Sequence, residues 1–475
     1  MKIFTLKHVA VAAAALIALG GCCGTSVPGP LTTGEDTIVS TKYGKIQGYN
    51  DAGIYTFKGI QYAKAERFMP PEYPDSFDGV KKCQVYGPKA MQNQNVRWND
   101  PTDYDFGFQF KIEFLSEDCQ VLNVWTPALD GKKRPVFLWI HGGGYANGSA
   151  IFLPAQDGRS LAEKGDIVVV TVNHRLNILG YIDLTALGGK YSESVNLGMQ
   201  DLVKALEWVH DNIEAFGGDP GCVTIGGQSG GGGKVSTLMA MPSAQGLFHR
   251  AVVQSGSTLR QSLPEQSQAL GLAVLEELGL TPETADKLAE VPYAELEAAG
   301  NRASRRAGGR FAPVVDGKYL VQHPFDPAAP ECSRDVPMLI GSNLNEFCYT
   351  NNVRFTVDER TRAGVISQAT VKAAQGGAPA YVYLFEWQSA VNDGALAACH
   401  GMELPFMFNN VAVQREMTGG TKEAYKMADK VSSAWISFIR NGDPNTKKLP
   451  KWEPFNAETE ATMVLDNVSK MQYKE

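Results

Sequence analysis

The chain is 475 residues long and 44% hydrophobic, with 49 glycines and 25 prolines, enough to bury a sizeable core. Its formal charge is −7, and −9 once residues 1–21 with Lys2 and Lys7 are set aside, a balance that argues against nucleic-acid binding. The absence of any HExxH, paired CxxC or phosphate-loop pattern means that no metal and no cofactor is expected.

The N-terminus predicts export. Lys2 and Lys7 make a basic start, Val9 to Leu19 is an apolar stretch too short to span a bilayer comfortably, and Leu19-Gly20-Gly21-Cys22 resembles a bacterial lipobox. Cleavage there makes residues 1–21 a signal peptide and leaves Cys22 as an acylated N-terminus, anchored to the membrane of the cell envelope. An ordinary secretory signal cut nearby is the alternative. Residues 22–37 are small, polar and proline-containing and read as a tether. A single domain is expected over 38–475, because strands and motifs spread from residue 40 to the end.

Residues 38–62 alternate and turn like antiparallel strands, and a long loop region then reaches Asp118. From Leu122 to about Ser257 the pattern is α/β. Pro135 to Ile140 reads as a fully buried strand running into His141-Gly142-Gly143-Gly144, a turn whose missing side chains let backbone N–H groups approach an oxyanion. Asp166 to Val172 is another buried strand, and Gln200 to Phe216 an amphipathic helix.

The β-type run Cys222 to Ile225 leads into Gly226 to Gly233, which contains G-x-S-x-G centred on Ser229. A strand turning sharply into a helix crowds its corner, and glycines two residues either side of the serine relieve that crowding and leave Oγ exposed above the sheet. Four consecutive glycines suit a flexible loop equally well, so this reading of Ser229 as a nucleophile depends on its context. Gln254-Ser255-Gly256-Ser257 ends the next strand; Ser255 lacks the flanking glycine pair and is expected to hydrogen-bond close to the site. Residues 260–310 look helical and insertion-like, with helix starts at Leu263-Pro264-Glu265 and Thr281-Pro282-Glu283, and are expected to line the cleft.

Pro337 to Ile340 is an apolar strand ending in Gly341-Ser342-Asn343-Leu344-Asn345-Glu346, which sets a carboxylate just past the strand's carboxyl end. Glu346 is the candidate orienting acid; Glu331, Asp335 and Glu403 compete, Glu403 foremost. Ala380 to Phe385 is a further strand, followed by a loop bearing His400, the candidate general base. The resulting order Ser229, Glu346, His400 is that of α/β-hydrolases and differs from the two other well-known serine-hydrolase orders. The fold expected is α/β, a mostly parallel central sheet with helices on both faces and helical insertions.

Further segments fall in order along the chain: Phe57-Lys58-Gly59-Ile60-Gln61-Tyr62-Ala63, Ser116-Glu117-Asp118-Cys119, Asn196-Leu197-Gly198-Met199-Gln200-Asp201, Phe216-Gly217-Gly218-Asp219-Pro220 and Gly442-Asp443-Pro444-Asn445. Together with the triad segments they resemble type-B carboxylesterases, the family of cholinesterases, bacterial para-nitrobenzyl esterases and fungal lipases. The resemblance covers most of the mature chain. It implies that Ser229 attacks an ester, His400 shuttles the proton, Glu346 orients the imidazole, and the N–H groups of Gly143, Gly144 and Gly230 bind the oxyanion.

Most members of that family carry alanine after the serine and glutamate before it, where this chain has Gly230 and Gln228. The resemblance also implies a structural ion pair between Arg67 and Glu117. The cysteine matching Cys119 often closes an upstream loop in the family, but the usual partner position falls near Ala90, leaving Cys83 as a substitute. A Cys348–Cys399 disulfide is a separate hypothesis, since both flank the proposed acid and base.

Between Glu346 and His400 lie fewer residues than the family usually has, which predicts a more open cleft and tolerance of bulky or polymer-linked esters as well as small ones. The substrate expected is thus an ester. The other readings are a catalytically silent recognition member of the fold, or an acyltransferase or amidase using the same triad.

Overall fold

The computed structural model describes residues 29–93, 103–111, 113–347 and 357–474. The expected signal peptide, Cys22 and the start of the tether lie outside the described residues, as does Cys348.

Twelve strands form the main sheet. In chain order they are β1 (Leu31–Thr32), β2 (Tyr49–Asp51), β3 (Ile54–Gln61), β4 (Val121–Thr126), β5 (Arg134–Ile140), β6 (Val168–Val172), β7 (Gly218–Gln228), β8 (Arg250–Gln254), β9 (Met338–Asn343), β10 (Ala380–Phe385), β11 (Thr462–Leu465) and β12 (Lys470–Gln472). Their spatial order is β1-β2-β3-β4-β6-β5-β7-β8-β9-β10-β11-β12. From β6 to β11 all neighbours run parallel, while β1 to β4 pair antiparallel, β4 meets β6 antiparallel, and β12 returns antiparallel. Ile38–Thr41 and Gly44–Gln47 instead join Val80–Lys82 in a small separate sheet, so the strands expected within 38–62 divide between two sheets.

The parallel strands are apolar on both faces because helices cover both. Val136, Leu138 and Ile140 of β5 point into one core, shared with α1 (Leu197–Asn212), α2 (Gly230–Leu238) and α5 (Glu359–Ala374). Phe137 and Trp139 point into the other, shared with the helix Arg159–Gly165 and α6 (Lys422–Asn441). Truncating one of these fully buried aromatics to alanine costs about 3–5 kcal/mol in comparable cores. The insertion is helical as expected: α3 (Pro264–Glu277), a 3₁₀ segment Pro282–Glu290 and α4 (Tyr293–Ala307). It buries Leu270, Val274, Leu288 and Leu296 against Phe68, Ile178 and Ile182.

Local bounds differ from expectation in two places. The helix expected over 200–216 starts at Leu197 and tightens to 3₁₀ geometry at Ile213–Phe216, and the elbow strand begins at Gly218 rather than Cys222. The bridge between Cys83 and Cys119 is not formed: both are buried free thiols, Cys83 in the core under β3 and Cys119 against Ala90 and Leu176. The postulated partner of Cys399 lies outside the described residues.

The connectivity decides where chemistry can occur. β6, which follows β5 in sequence, lies on one side of it and β7 on the other, so a crevice opens between the carboxyl ends of β5 and β7. Ile140 pairs with Gly227 in that register, which brings the turn after β5 and the turn after β7 side by side.

Candidate active site

Ser229 stands at the corner between β7 and α2 with φ +58° and ψ −128°, a conformation sparsely populated by residues bearing a Cβ. The corner needs bare backbone around it. A Cβ on Gly227 would lie 2.4 Å from the carbonyl carbon of Gly231, and one on Gly226 2.5 Å from the Phe137 ring. The Ser229 N–H donates to the carbonyl of Gln254 at 2.8 Å, tying the corner to β8, and the residue is half-buried.

The turn after β5 packs directly on this corner. A Cβ on Gly142 would meet the Gln228 carbonyl at 2.9 Å and Ser229 Cβ at 3.2 Å. Gly143 and Gly144 have φ of +87° and +62°, and both are exposed. Among the described residues, the N–H groups of Gly143, Gly144 and Gly230 donate to no protein acceptor, so they are available to a ligand oxygen. Gly230 approaches Gly144 closely enough that a Cβ would sit 2.2 Å from the Gly144 oxygen. The alanine usual in the family cannot be seated here without displacing the turn.

Glu346 and His400 meet beside the elbow. His400 Nδ1 lies 2.5 Å from Glu346 Oε2, and the other carboxylate oxygen accepts the Asn343 N–H at 2.8 Å. The acid is fully buried and His400 is 8% exposed. Burial lowers the affinity of His400 for a proton, but the charge of Glu346 and its hydrogen bond outweigh that and raise its pKa above the usual histidine value. The loops are also joined through their backbones: the His400 N–H donates to the Glu346 carbonyl at 2.7 Å, and the Asn345 N–H to the Ala398 carbonyl at 3.1 Å.

Nδ1 therefore carries the proton, and Nε2 presents a lone pair. That lone pair accepts from the Gln228 side-chain amide at 3.1 Å, and no hydrogen bond joins it to Ser229 Oγ among the described residues. The structure brings Glu346 and His400 into contact and sets His400 against the residue preceding Ser229. The serine hydroxyl itself is left unengaged by the imidazole.

Glu403, the chief rival for the acid, has a different task. Its oxygens accept from Asn343 Nδ2 at 2.6 Å and Gln254 Nε2 at 3.0 Å, and burial raises its pKa. Trp435 Nε1 donates to the oxygen of the same Gln254, so the network runs through to α6. Ser255 does not hydrogen-bond as expected: among the described residues its buried hydroxyl has no partner, while its N–H, held in a left-handed turn at φ +47°, donates to the Gly341 carbonyl. Asn343, Asn345 and Gln254 were not singled out from the sequence. The only local signal was the Asn-x-Asn-Glu run before the acid.

The Arg67–Glu117 ion pair is present, and Arg67 also donates to the carbonyls of Leu288 at 3.2 Å and Val291 at 2.5 Å, fastening the helical insertion to the loop region. The insertion borders the site through Gln261, whose amide donates to the Tyr145 hydroxyl at 2.8 Å.

A model of the carboxylesterase family matches residues 35–365 and 351–475. Para-nitrobenzyl esterase of Bacillus subtilis (strain 168) is 32% identical over 485 residues, spanning 90% of this chain and 95% of that protein. Human cocaine esterase is 30% identical over 523 residues, spanning 94% and 90%. Among solved structures, a Clostridium hathewayi esterase described as hydrolysing aliphatic aromatic polyesters superposes with a TM-score of 0.86 at 35% identity, covering 94% of this chain and 97% of that one. A Geobacillus stearothermophilus carboxylesterase gives 0.79 at 34% identity, covering 92% and 98%. The chain belongs to the carboxylesterase family and is a carboxylic ester hydrolase with the α/β-hydrolase fold.

Proposed function

We propose that this esterase works through a covalent acyl-enzyme on Ser229, with His400 as proton shuttle and Glu346 as the orienting acid. A neutral hydroxyl is a poor nucleophile at neutral pH, so it needs an adjacent base whose tautomer is fixed. The contact of 2.5 Å between Glu346 and His400 Nδ1 is the observation that carries this reading, because it leaves Nε2 as the acceptor on the elbow side. Substrate binding exchanges the Gln228 amide for Ser229 Oγ at Nε2; catalytic hydrogen bonds of this kind often tighten only in the complex.

Attack of Oγ on the ester carbonyl then passes its proton to Nε2. Gly143, Gly144 and Gly230 N–H groups stabilise the tetrahedral oxyanion, where one donor is worth about 10²–10³ in kcat. The imidazolium returns the proton to the departing alcohol, and a water activated by the same nitrogen releases the acid. The test is fluorophosphonate labelling of the wild type and Ser229→Ala, followed by an ester panel. Labelling and turnover that persist in Ser229→Ala would overturn the assignment.

The substrates proposed include bulky and polymer-linked esters. The exposure of Gly143 and Gly144, the single described helix α5 between β9 and β10, and the polyester activity ascribed to the C. hathewayi relative support this. Exclusive turnover of the smallest esters would count against it. The lipobox-like segment at Cys22 supports attachment to the bacterial cell envelope through a lipid anchor; Cys22→Ser is expected to release the protein from membranes.

A further inference from the structure

Lys234 lies on α2, just over one turn past the nucleophile elbow, and is fully buried. Its Nζ donates to the His141 carbonyl at 3.2 Å and to the Gly144 carbonyl at 2.9 Å, the two ends of the oxyanion turn. Among the described residues no carboxylate forms an ion pair with it, and burial lowers its pKa to about 7. A lysine buried without a counter-charge is costly, and here the two carbonyl contacts are what offset that cost.

The groups facing it are themselves cationic or neutral. The rings of His141 and His174 lie 4.8 Å apart, tilted by 30°, with both pKa values lowered by burial and by the Lys234 charge, and Lys89 adds a weaker push on His141. The Tyr145 ring lies 5.7 Å from Nζ, its hydroxyl kept protonated by burial. Charged or neutral, Nζ has hydrogens enough for both carbonyls.

Gly230 completes the arrangement. Because it has no Cβ, the Gly144 oxygen occupies the space a side chain at 230 would take and reaches Lys234 over the first turn of α2. A turn of three glycines, two at positive φ, has ready access to flipped peptide planes. The planes bearing the Gly143 and Gly144 N–H groups are held through the Gly142 carbonyl, 2.9 Å from His141 Nδ1, and the Gly143 carbonyl, which accepts the Asn147 N–H at 3.0 Å, while Lys234 holds the planes on either side.

We propose that Lys234 is a positioning residue for the oxyanion hole: by gripping the carbonyls of His141 and Gly144 it fixes the two peptide planes that flank those bearing the Gly143 and Gly144 N–H groups, and so anchors both ends of the turn from which these N–H groups are aimed at the developing charge. The proposal rests on the acyl-enzyme reading of Ser229. Lys234 touches no substrate and acts only through the turn, so its contribution belongs to the transition state and not to ground-state binding.

Lys234→Met removes the donor at similar length. The expected result is a fall in kcat of about 10–100-fold, the scale of a misplaced rather than a missing donor, with KM within about two-fold of wild type. Affinity for a trifluoromethyl ketone, whose adduct carries the oxyanion, should fall by the same factor. Lys234→Gln keeps an N–H donor and should recover part of both losses; it also carries the test if the methionine variant does not fold. A folded variant with wild-type kcat, or one whose loss lies in KM while ketone affinity is unchanged, overturns the proposal. Ser229→Ala run alongside separates the two readings: turnover retained there removes the serine mechanism itself, whereas an inactive Ser229→Ala beside an unimpaired Lys234→Met removes only the role of Lys234.

Discussion

Glu346 holds His400 twice, through the carboxylate at 2.5 Å from Nδ1 and through its own backbone carbonyl, which accepts the His400 N–H at 2.7 Å. The side-chain contact selects the tautomer and the backbone contact sets the position of the loop that carries the ring. Replacing the carboxylate should therefore damage catalysis without unseating the loop.

Glu346→Gln is expected to lower kcat by about 10³–10⁴, because an amide can donate to Nδ1 and so favour the unproductive tautomer. KM should change little. Steady-state kinetics on a para-nitrophenyl ester check it, and a loss below about ten-fold would reassign the acid.

The pH dependence follows from the raised pKa of His400. In the proposed mechanism Nε2 must be neutral, so kcat/KM should fall as pH drops through a value above the ordinary histidine range. The stability contribution has the opposite sense: a folded pKa above the unfolded one stabilises fully at pH below the unfolded value and is lost as pH rises through the folded one. Glu346→Gln leaves burial as the main influence and should move the acidic limb of activity downward. A pH–rate profile of both proteins, with thermal melts across the same range, tests both signs.

Gln228→Glu puts a carboxylate in place of the amide that now lies 3.1 Å from Nε2. A second negative charge favours the imidazolium, so the acidic limb of kcat/KM should shift to higher pH than in wild type. An unchanged limb would mean that the side chain at 228 does not face the ring in solution.

Gly230→Ala introduces a Cβ 2.2 Å from the Gly144 oxygen. The turn must give way, with a destabilisation of about 1–3 kcal/mol, as for overpacked interiors, and a fall in kcat exceeding that in KM. Urea denaturation and kinetics on the same preparation measure the two effects.

Asp201→Ala tests the scaffold beneath the site. Asp201 is fully buried and bonds Arg175 through Nε at 2.9 Å and Nη2 at 2.7 Å, while accepting the Arg175 N–H at 2.9 Å. Removing it leaves a buried guanidinium without its partner, expected to cost about 3–5 kcal/mol in unfolding free energy.

Much of the architecture was readable in advance because it depends on local backbone demands. A strand that turns at once into a helix requires glycines around Ser229, and a run such as Val168–Val172 is apolar on both faces only if helices cover both. The same locality explains the errors. Ser255 resembles a hydrogen-bonding residue by its place at a strand end, yet among the described residues its buried hydroxyl has no partner, and Cys83 and Cys119, offered by the resemblance only as a substitute bridge, lie in different parts of the core.

The sequence by itself determined the order of strands and turns, the family, and which segments carry the serine, the acids and the histidine, since each of these is written in short stretches of chain. Only the tertiary structure decided that Glu346 and not Glu403 faces the imidazole, that Gln228 occupies Nε2, and that Lys234 reaches back to the turn after β5. These contacts span from 54 to 172 positions of chain. Their distances are set by sheet order and by packing against both faces, which no local pattern encodes.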